Sequence, residues 1–496
     1  MLVTALNVGW AVSRASAASR FHRATKRVQR TQQEWLSAFI RENAATAYGR
    51  EHGYAHVGDI RGFQARVPIV DYQALRPWVQ RIADGEGEVL TREPVKMLER
   101  TSGSTSASKW VPYTEGLLSD FGAATSPWLD DVVTTFPKLL TARHYWSVSP
   151  AAREPEVTKG GLRVGLEDDT EYFDPLTRAA MKRLFAVDGA VARIRDLGLW
   201  RRQTLRALLT TEDLGFISVW NPSFLTLLME AVDLAWLSPK QRRAVDQLGL
   251  VGEALWPRLQ LISCWTDAWA REALPALRRF FPSTPIQGKG LLATEGVVTF
   301  PLWGQPAPVA AVTSHFLEFE GEDGVRLVHE LREGEAYAPV ITTRGGFARY
   351  RLADQLRCVG HFREVPMLRF EGRLDRTSDL VGEKLNAVFV EAAVRSLQLS
   401  GFVLLAPSLQ PARYVLFAEA PEEDSAQRLE ERLLENPHYR YARELGQLAP
   451  LHVQRVVNGH AKYVEAMRAR GMRLGDIKPA CFDPTPGWEH RFELGR

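Results

Sequence analysis

Apolar residues return at helical spacing through Val28, Trp35 and Phe39, so 32–40 is expected to be the best-defined helix of a first stretch, 1 to about 60, that reads as helical. Tyr48-Gly49-Arg50 and Gly53 punctuate the end of that stretch, and Pro68, Pro77 and Pro94 interrupt a mixed region that ends in a Gly/Ser/Thr cluster. Residues 120–280 are rich in Leu, Ala and Arg and read as mainly helical, with Pro222 and Pro257 as breaks. Past 280 the period shortens. Segments 297–302, 326–329, 340–343 and 356–359 read as strands divided by glycine and charged turns. Beyond 370 a smaller unit is expected, with helices at 387–399 and 426–434 and strands at 413–417 and 450–457, an α+β arrangement. No internal repeat is visible.

The 496 residues suggest two or three domains at about 150 residues each. With 45% hydrophobic and 24% charged residues, the composition excludes collagen, disorder and coiled coil. A net charge of +3 implies no nucleic-acid footprint. The first fifty residues do carry eight Arg/Lys against two Glu, which reads as a solvated helix face rather than a membrane-surface helix. Cys264, Cys358 and Cys481 form no CxxC pair and read as buried reduced thiols of a cytoplasmic protein. The first 18 residues lack the basic start of a signal peptide, and no window approaches the roughly 18 apolar residues of a membrane span. A cytoplasmic monomer without stable membrane association is expected.

The stretch Thr101-Ser-Gly-Ser-Thr-Ser-Ala-Ser-Lys109 carries the most chemistry. Small residues let backbone N–H groups approach an anion, the hydroxyls of Ser104, Thr105 and Ser106 add donors, and Lys109 adds charge. A plain Ser/Thr/Gly linker has the same composition. Gly288-Lys-Gly290-Leu-Leu-Ala293 satisfies a dinucleotide fingerprint, but Thr294-Glu295-Gly296 and a strand-like run come next where a helix is required, so that reading is rejected. Glu295, flanked by small residues at a sheet edge, is placed to ligate Mg²⁺; a strand-end turn is the alternative. In Tyr350-Arg351-Leu352-Ala353-Asp354 the closing Asp354 is a candidate for ribose hydroxyls, or else the surface partner of Arg351. Residues 372–385, with Gly372, Arg373 and Lys384, read as a hinge or a polar linker.

In order and spacing these four motifs resemble those of the acyl-adenylate-forming superfamily, which includes acyl-CoA synthetases and luciferase. Within it the chain is most similar to the plant auxin-responsive-promoter (Gretchen Hagen) family of acyl acid amido synthetases and its bacterial relatives. The likeness runs from Thr46-Ala-Tyr-Gly-Arg50 and Pro68-Ile-Val-Asp-Tyr72 to Gly475-Asp-Ile-Lys478-Pro479. It implies an α/β (α+β) adenylate-forming fold. A large N-terminal domain, 1–370, would carry the ATP and acid sites, followed by a small mobile α+β domain, 371–496, on a hinge near 371–375. It further implies a ligase that adenylates a carboxylic acid with ATP and Mg²⁺ and passes the acyl group to an amine, an amino acid in this family. By that resemblance Ser102, Gly103, Ser104, Thr105, Ser106 and Lys109 would cradle the phosphates, and Thr294 would lie near the adenylate. Glu295 would hold Mg²⁺, Asp354 the ribose, and Arg373 the nucleotide at the domain junction. Lys478 is the expected mobile catalytic lysine and Lys384 its rival; Lys109 and Glu295 complete the catalytic set.

The chain departs from many relatives at Leu291-Leu292-Ala293, where plant members carry an aromatic residue, and at Cys264-Trp265-Thr266-Asp267-Ala268. Trp220, Phe224, Trp265, Leu292 and Phe316 are candidates for the acid pocket. Two alternatives stay open: coenzyme A or another acceptor in the second step, and a non-catalytic nucleotide-binding protein that keeps the fold.

Overall fold

The structure, a computed structural model, describes the chain apart from residues 101–108, 148–155, 166–181, 195, 375, 382, 473, 475–476, 479 and 494–496. It divides into two compact units: the larger takes 1–267, 274–352 and 356–370, the smaller 268–273, 353–355 and 371–496.

In the larger unit the helix Leu2–Ala24 packs on the helix Glu115–Thr135. Asn7 ties it down: its amide donates to the carbonyls of Leu139 (3.2 Å) and Ala142 (2.9 Å), and its oxygen lies 3.0 Å from His144 Nε2. The helix Val28–Asn43, expected from the spacing, buries Val28, Leu36, Phe39 and Ile40. Gln32 lies on the same buried face because its amide closes three backbone bonds. It donates to the carbonyls of Val312 (2.8 Å) and His315 (2.7 Å), and accepts from Leu317 N–H (2.7 Å). Gly49 does not end a helix but sits inside a short one, Ala47–Glu51, where a Cβ would collide with the Asn43 carbonyl.

Residues 120–280 differ from expectation. Strands Arg143–Trp146, Leu214–Ser218, Leu261–Cys264 and Ile286–Gly288 form a four-stranded parallel sheet, three of whose members lie in the stretch read as helical. Every residue of Leu214–Ser218 and Leu261–Cys264 is buried, so no polar alternation marks them. Pro222 starts a helix rather than breaking one: it opens Pro222–Glu230, with Asn221 Oδ1 accepting from Ser223 N–H (2.9 Å).

An eight-stranded sheet is built from antiparallel neighbours, in the order Thr299–Phe300, Val309–Ala310, Val365–Arg373, Asp354–Phe362, Ala336–Thr342, Phe316–Gly321, Gly324–Leu327, with Tyr350–Arg351 joined to Ala336–Thr342. The strand expected at 297–302 is split: Gly296–Val297 pairs back on Leu292–Ala293, and Thr299–Phe300 enters the large sheet. That at 326–329 is shifted to Gly324–Leu327, a 3₁₀ turn taking over at Val328.

The smaller unit holds a three-stranded sheet, Val403–Leu409, Ala412–Ala418 and His452–Arg455, antiparallel then parallel. Alternate side chains feed two cores. Leu405, Tyr414 and Leu416 meet the helices Ala387–Arg395 and Ser425–Leu433, while Leu404, Val415 and Phe417 meet Tyr463, Trp488 and Phe492. The first strand carries Pro407 and lies on the sheet edge, where a missing N–H is tolerated. All three cysteines are free and buried. Among the described residues no helix is long and apolar enough to cross a membrane.

Candidate active site

The Gly/Ser/Thr run connects the antiparallel strands Met97–Arg100 and Trp110–Tyr113, paired from Met97 with Tyr113 to Arg100 with Trp110. Ser102, Gly103, Ser104, Thr105 and Ser106 lie outside the described residues. Lys109, next to the second strand, holds its ammonium 5.9 Å from the ring centre of Tyr72. Tyr72 opens the helix Tyr72–Ala83, capped by Asp71, whose Oδ1 accepts from Gln73 N–H (2.9 Å) and Ala74 N–H (3.2 Å). The Tyr72 hydroxyl accepts from Trp110 N–H at 2.6 Å. Burial raises the Tyr72 phenol above its usual pKa, and the nearby Glu295 carboxylate adds to the rise, against the Trp110 bond and Arg76.

Thr294 and Glu295 form the tight connection between Leu292–Ala293 and Gly296–Val297, with Ala293 opposite Gly296. This strand pair, not a helix, begins within Gly288–Ala293, so the dinucleotide fingerprint is only a sequence coincidence. Two tyrosines fix the turn: Tyr113 donates its O–H to the Thr294 carbonyl (2.8 Å), and Tyr350 donates to Glu295 Oε1 (3.2 Å). Glu295 is buried, at 7% exposure. Among the described residues no group of three or more His, Cys, Asp or Glu side chains gathers as a metal cluster.

Tyr350 is placed by its neighbour. Arg349 takes a left-handed backbone (φ 48°), and its buried guanidinium grips Glu318 with two bonds of 2.9 and 3.0 Å. It also donates to the carbonyls of Gln64 (3.0 Å) and Val67 (2.7 Å). Val70 bridges the same run, accepting from Arg351 N–H (2.9 Å) and donating to the Arg349 carbonyl (3.1 Å). Neither the tyrosine contacts nor this ion pair has a local signature, since the partners lie 31 to 285 residues apart.

In the smaller unit Asp354 is buried (4% exposed) and lies 3.5 Å from Arg373 Nη1, so two expected nucleotide-binding residues meet. Arg351 is not its partner; it pairs with Glu320 at 2.6 Å. Lys478 exposes its side chain, while its carbonyl accepts from Tyr463 O–H (3.2 Å). Lys384 is also exposed, in left-handed backbone (φ 45°) next to buried Glu383. That carboxylate accepts from the N–H groups of Leu380 (2.8 Å) and Val381 (2.9 Å) and from Tyr414 O–H. Burial, and then this bond, push the Tyr414 phenol upward.

The aromatic candidates divide. Trp220 and Trp265, just past the carboxyl ends of adjacent parallel strands, are half-buried with ring centres 5.7 Å apart, and Trp265 N–H donates to the Trp220 carbonyl (2.8 Å). Lys289, after the next strand, places its ammonium 5.0 Å from the Trp220 ring centre, 5.2 Å from that of Trp128, and 2.9 Å from Ser218 Oγ. The pattern gave no hint of Lys289, which lay inside the discarded fingerprint. Leu292 is half-buried against the main core. Phe224 and Phe316 are elsewhere: Phe224 packs on Trp200 (5.8 Å), and Phe316 is fully buried, edge-on to Phe63 (6.1 Å).

Three successive segments match the models of one family: the GH3 family N-terminal domain over 17–238, the central domain over 309–373 and the C-terminal domain over 383–483. The chain belongs to the GH3 family. This GH3 chain is 24% identical over 542 aligned positions to a jasmonoyl–L-amino acid synthetase of Nicotiana attenuata, covering 93% of the chain and 92% of that relative. It is 24% identical over 443 positions to a probable indole-3-acetic acid-amido synthetase of Oryza sativa subsp. japonica, covering 71% and 70%. The solved structure of a GH3.15 acyl acid amido synthetase with 2,4-DB superposes with a TM-score of 0.82 at 19% identity, over 97% of this chain and 96% of that one. That likeness establishes the GH3 fold here, and with it the mixed helix-and-sheet class expected from the sequence.

Proposed function

We infer that this GH3 chain is an ATP-dependent acyl acid amido synthetase. In the first step a carboxylate oxygen attacks the α-phosphorus of ATP, the bond to the β-phosphate breaks, and pyrophosphate leaves an acyl adenylate. In the second, the amine of an amino acid attacks the acyl carbon, AMP departs, and the amide forms with release of a proton.

The observation that carries the reading is the convergence of Tyr72, Lys109, Tyr113, Tyr350 and the Thr294–Glu295 turn, drawn from four separate motifs. We assign Lys109 and the Ser102–Ser106 run to the phosphates, and Thr294 to the neighbourhood of the adenylate. Glu295 offers one buried carboxylate without a protein cluster around it among the described residues, which suits Mg²⁺, a cation that completes its shell with phosphate oxygens and water. Bound there, Mg²⁺ would neutralise charge on the leaving pyrophosphate. Asp354 is assigned to the ribose hydroxyls and its ion-pair partner Arg373 to the nucleotide. Exposed Lys478 is assigned to the transferring α-phosphate, with 371–375 as the hinge. Trp220, Trp265 and Lys289 form the wall assigned to the acid, at the carboxyl ends of parallel strands where α/β sheets receive ligands. Three free, buried cysteines fit a reducing cytoplasm.

The test is pyrophosphate release from Mg²⁺-ATP across a panel of carboxylic acids, with and without pooled amino acids, and mass spectrometry of the products. Acid-dependent release with an amide is the expected result. Release without an amide would move the second step to a thiol or other acceptor. Silence across the panel with ATP still bound would overturn the enzymatic reading.

A further inference from the structure

We propose that His315 is a positioning residue for Glu295, acting through the backbone of the turn that carries it; the inference rests on the role given to Glu295 above. His315 is fully buried at the start of the strand Phe316–Gly321, and its Nε2 accepts the Val297 N–H at 3.1 Å. Because an N–H points at Nε2, the ring proton lies on Nδ1. That nitrogen faces Asp120 Oδ2 at 3.9 Å, beyond hydrogen-bond reach, while Asp120 Oδ1 lies 3.6 Å from Arg344 Nη1.

The turn is therefore held at three points by side chains from three distant segments. Tyr113 takes the carbonyl of 294, Tyr350 the carboxylate of 295, and His315 the N–H of 297. The first and third supports touch through one ring: Phe121 stacks on Tyr113 (6.0 Å) and meets His315 edge-on (6.3 Å). Between paired Ala293 and Gly296 only two residues intervene, so a tilt of the 296–297 peptide passes directly to Glu295. The imidazole also lies against Gly296, where a Cβ would come within 2.9 Å of Nε2. A Leu or Phe would fill this buried space without carrying an unpartnered Nδ1. What His315 adds over such a residue is one acceptor aimed at one backbone N–H.

The test compares His315→Gln, which keeps an acceptor near the Nε2 position, with His315→Phe, which keeps the bulk and loses the acceptor. The readouts are the Mg²⁺ dependence of acid-driven ATP–pyrophosphate exchange and, separately, the Mg²⁺-dependent thermal shift produced by a non-hydrolysable ATP analogue. His315→Phe should lower kcat and raise the half-saturating Mg²⁺ concentration by about 10- to 100-fold, as loss of a residue supporting a metal ligand does. Binding of AMP without metal should be unchanged, and His315→Gln should recover most of the loss. Gly296→Ala, which keeps the imidazole but pushes its Nε2 off the Val297 N–H, should reproduce the defect and serves if His315→Phe fails to fold. Equal kcat and Mg²⁺ dependence in folded His315→Phe, His315→Gln and Gly296→Ala would reduce His315 to a core residue and overturn the inference. The thermal shift is read without turnover. A wild type that never releases pyrophosphate, with the Mg²⁺ shift still lost in His315→Phe and kept in His315→Gln, would sink the synthetase reading and leave the positioning role standing.

Discussion

The turn at Thr294–Glu295 and the wall formed by Trp220, Trp265 and Lys289 belong to one unit, yet they are held in different ways. Around Glu295 the contacts are directional: two phenol O–H groups, one imidazole nitrogen, and behind Tyr350 a two-point Arg349–Glu318 bond. Around the tryptophans the contacts are ring faces, an ammonium over them, and one hydroxyl. Directional bonds fix an atom to tenths of an ångström, as a carboxylate serving phosphate chemistry requires. Ring packing tolerates exchange of one shape for another of similar volume at a cost usually under about 1.5 kcal/mol. Under the proposed function the first arrangement suits chemistry common to every acid, and the second a surface that would decide which acid enters.

The contrast can be broken most severely at the buried ion pair. Glu318→Ala strands the Arg349 guanidinium, and urea unfolding should show a loss of about 3–5 kcal/mol. A loss under about 1 kcal/mol, the range of an exposed pair, would mean that Tyr350 is not held in place by this pair. Glu295→Gln keeps the shape and removes the charge. Its kcat for pyrophosphate release should fall by about 10²–10³ with metal-free AMP affinity intact, and unchanged turnover would take Glu295 out of the site. Lys289→Met should act on the other region alone, changing KM for the acid by about tenfold, or 1.4 kcal/mol, while KM for ATP stays put. A change in the ATP term instead would merge the two regions.

The last effect is one of pH, at the far edge of the parallel sheet beneath the tryptophans. Burial lowers the pKa of His144 to about 4, so it is neutral in the fold and protonated in the unfolded chain below its ordinary 6.5. Its contribution is complete above pH 6.5 and is lost as pH falls toward 4, at about 1.4 kcal/mol per pH unit. Denaturant titrations at pH 7 and pH 5 should show a weaker acid loss in His144→Gln than in wild type; parallel losses would remove His144 from the pH dependence.

Much of this architecture is legible in the chain itself. The helix Val28–Asn43 and the strand Asp354–Phe362 follow their periods because each has one face in the core. The GH3 likeness seen in motif order is borne out over three family domains. The parallel sheet was hidden because strands such as Leu214–Ser218 are buried on both faces and carry no alternation. The hydroxyl contacts of Tyr113 and Tyr350 were hidden for another reason. An aromatic residue on an apolar strand reads as packing, and where its O–H ends depends on pairing between segments up to 181 residues apart. Lys289 was lost with the fingerprint around it: a motif correctly discarded took an informative side chain along.

The Gln32 amide has a consequence for how the protein is made. Its partners Val312, His315 and Leu317 are synthesised 280 to 285 residues later, which at about 5–20 residues per second is a wait of roughly 15–60 s. Until then Gln32 has left the ribosome as a polar group without its mates, and the part of the helix that meets Phe316–Gly321 is uncovered. The helix Val28–Asn43 is thus made long before it is finished, and a fragment ending before Leu317 should emerge as a client for chaperones rather than as a domain.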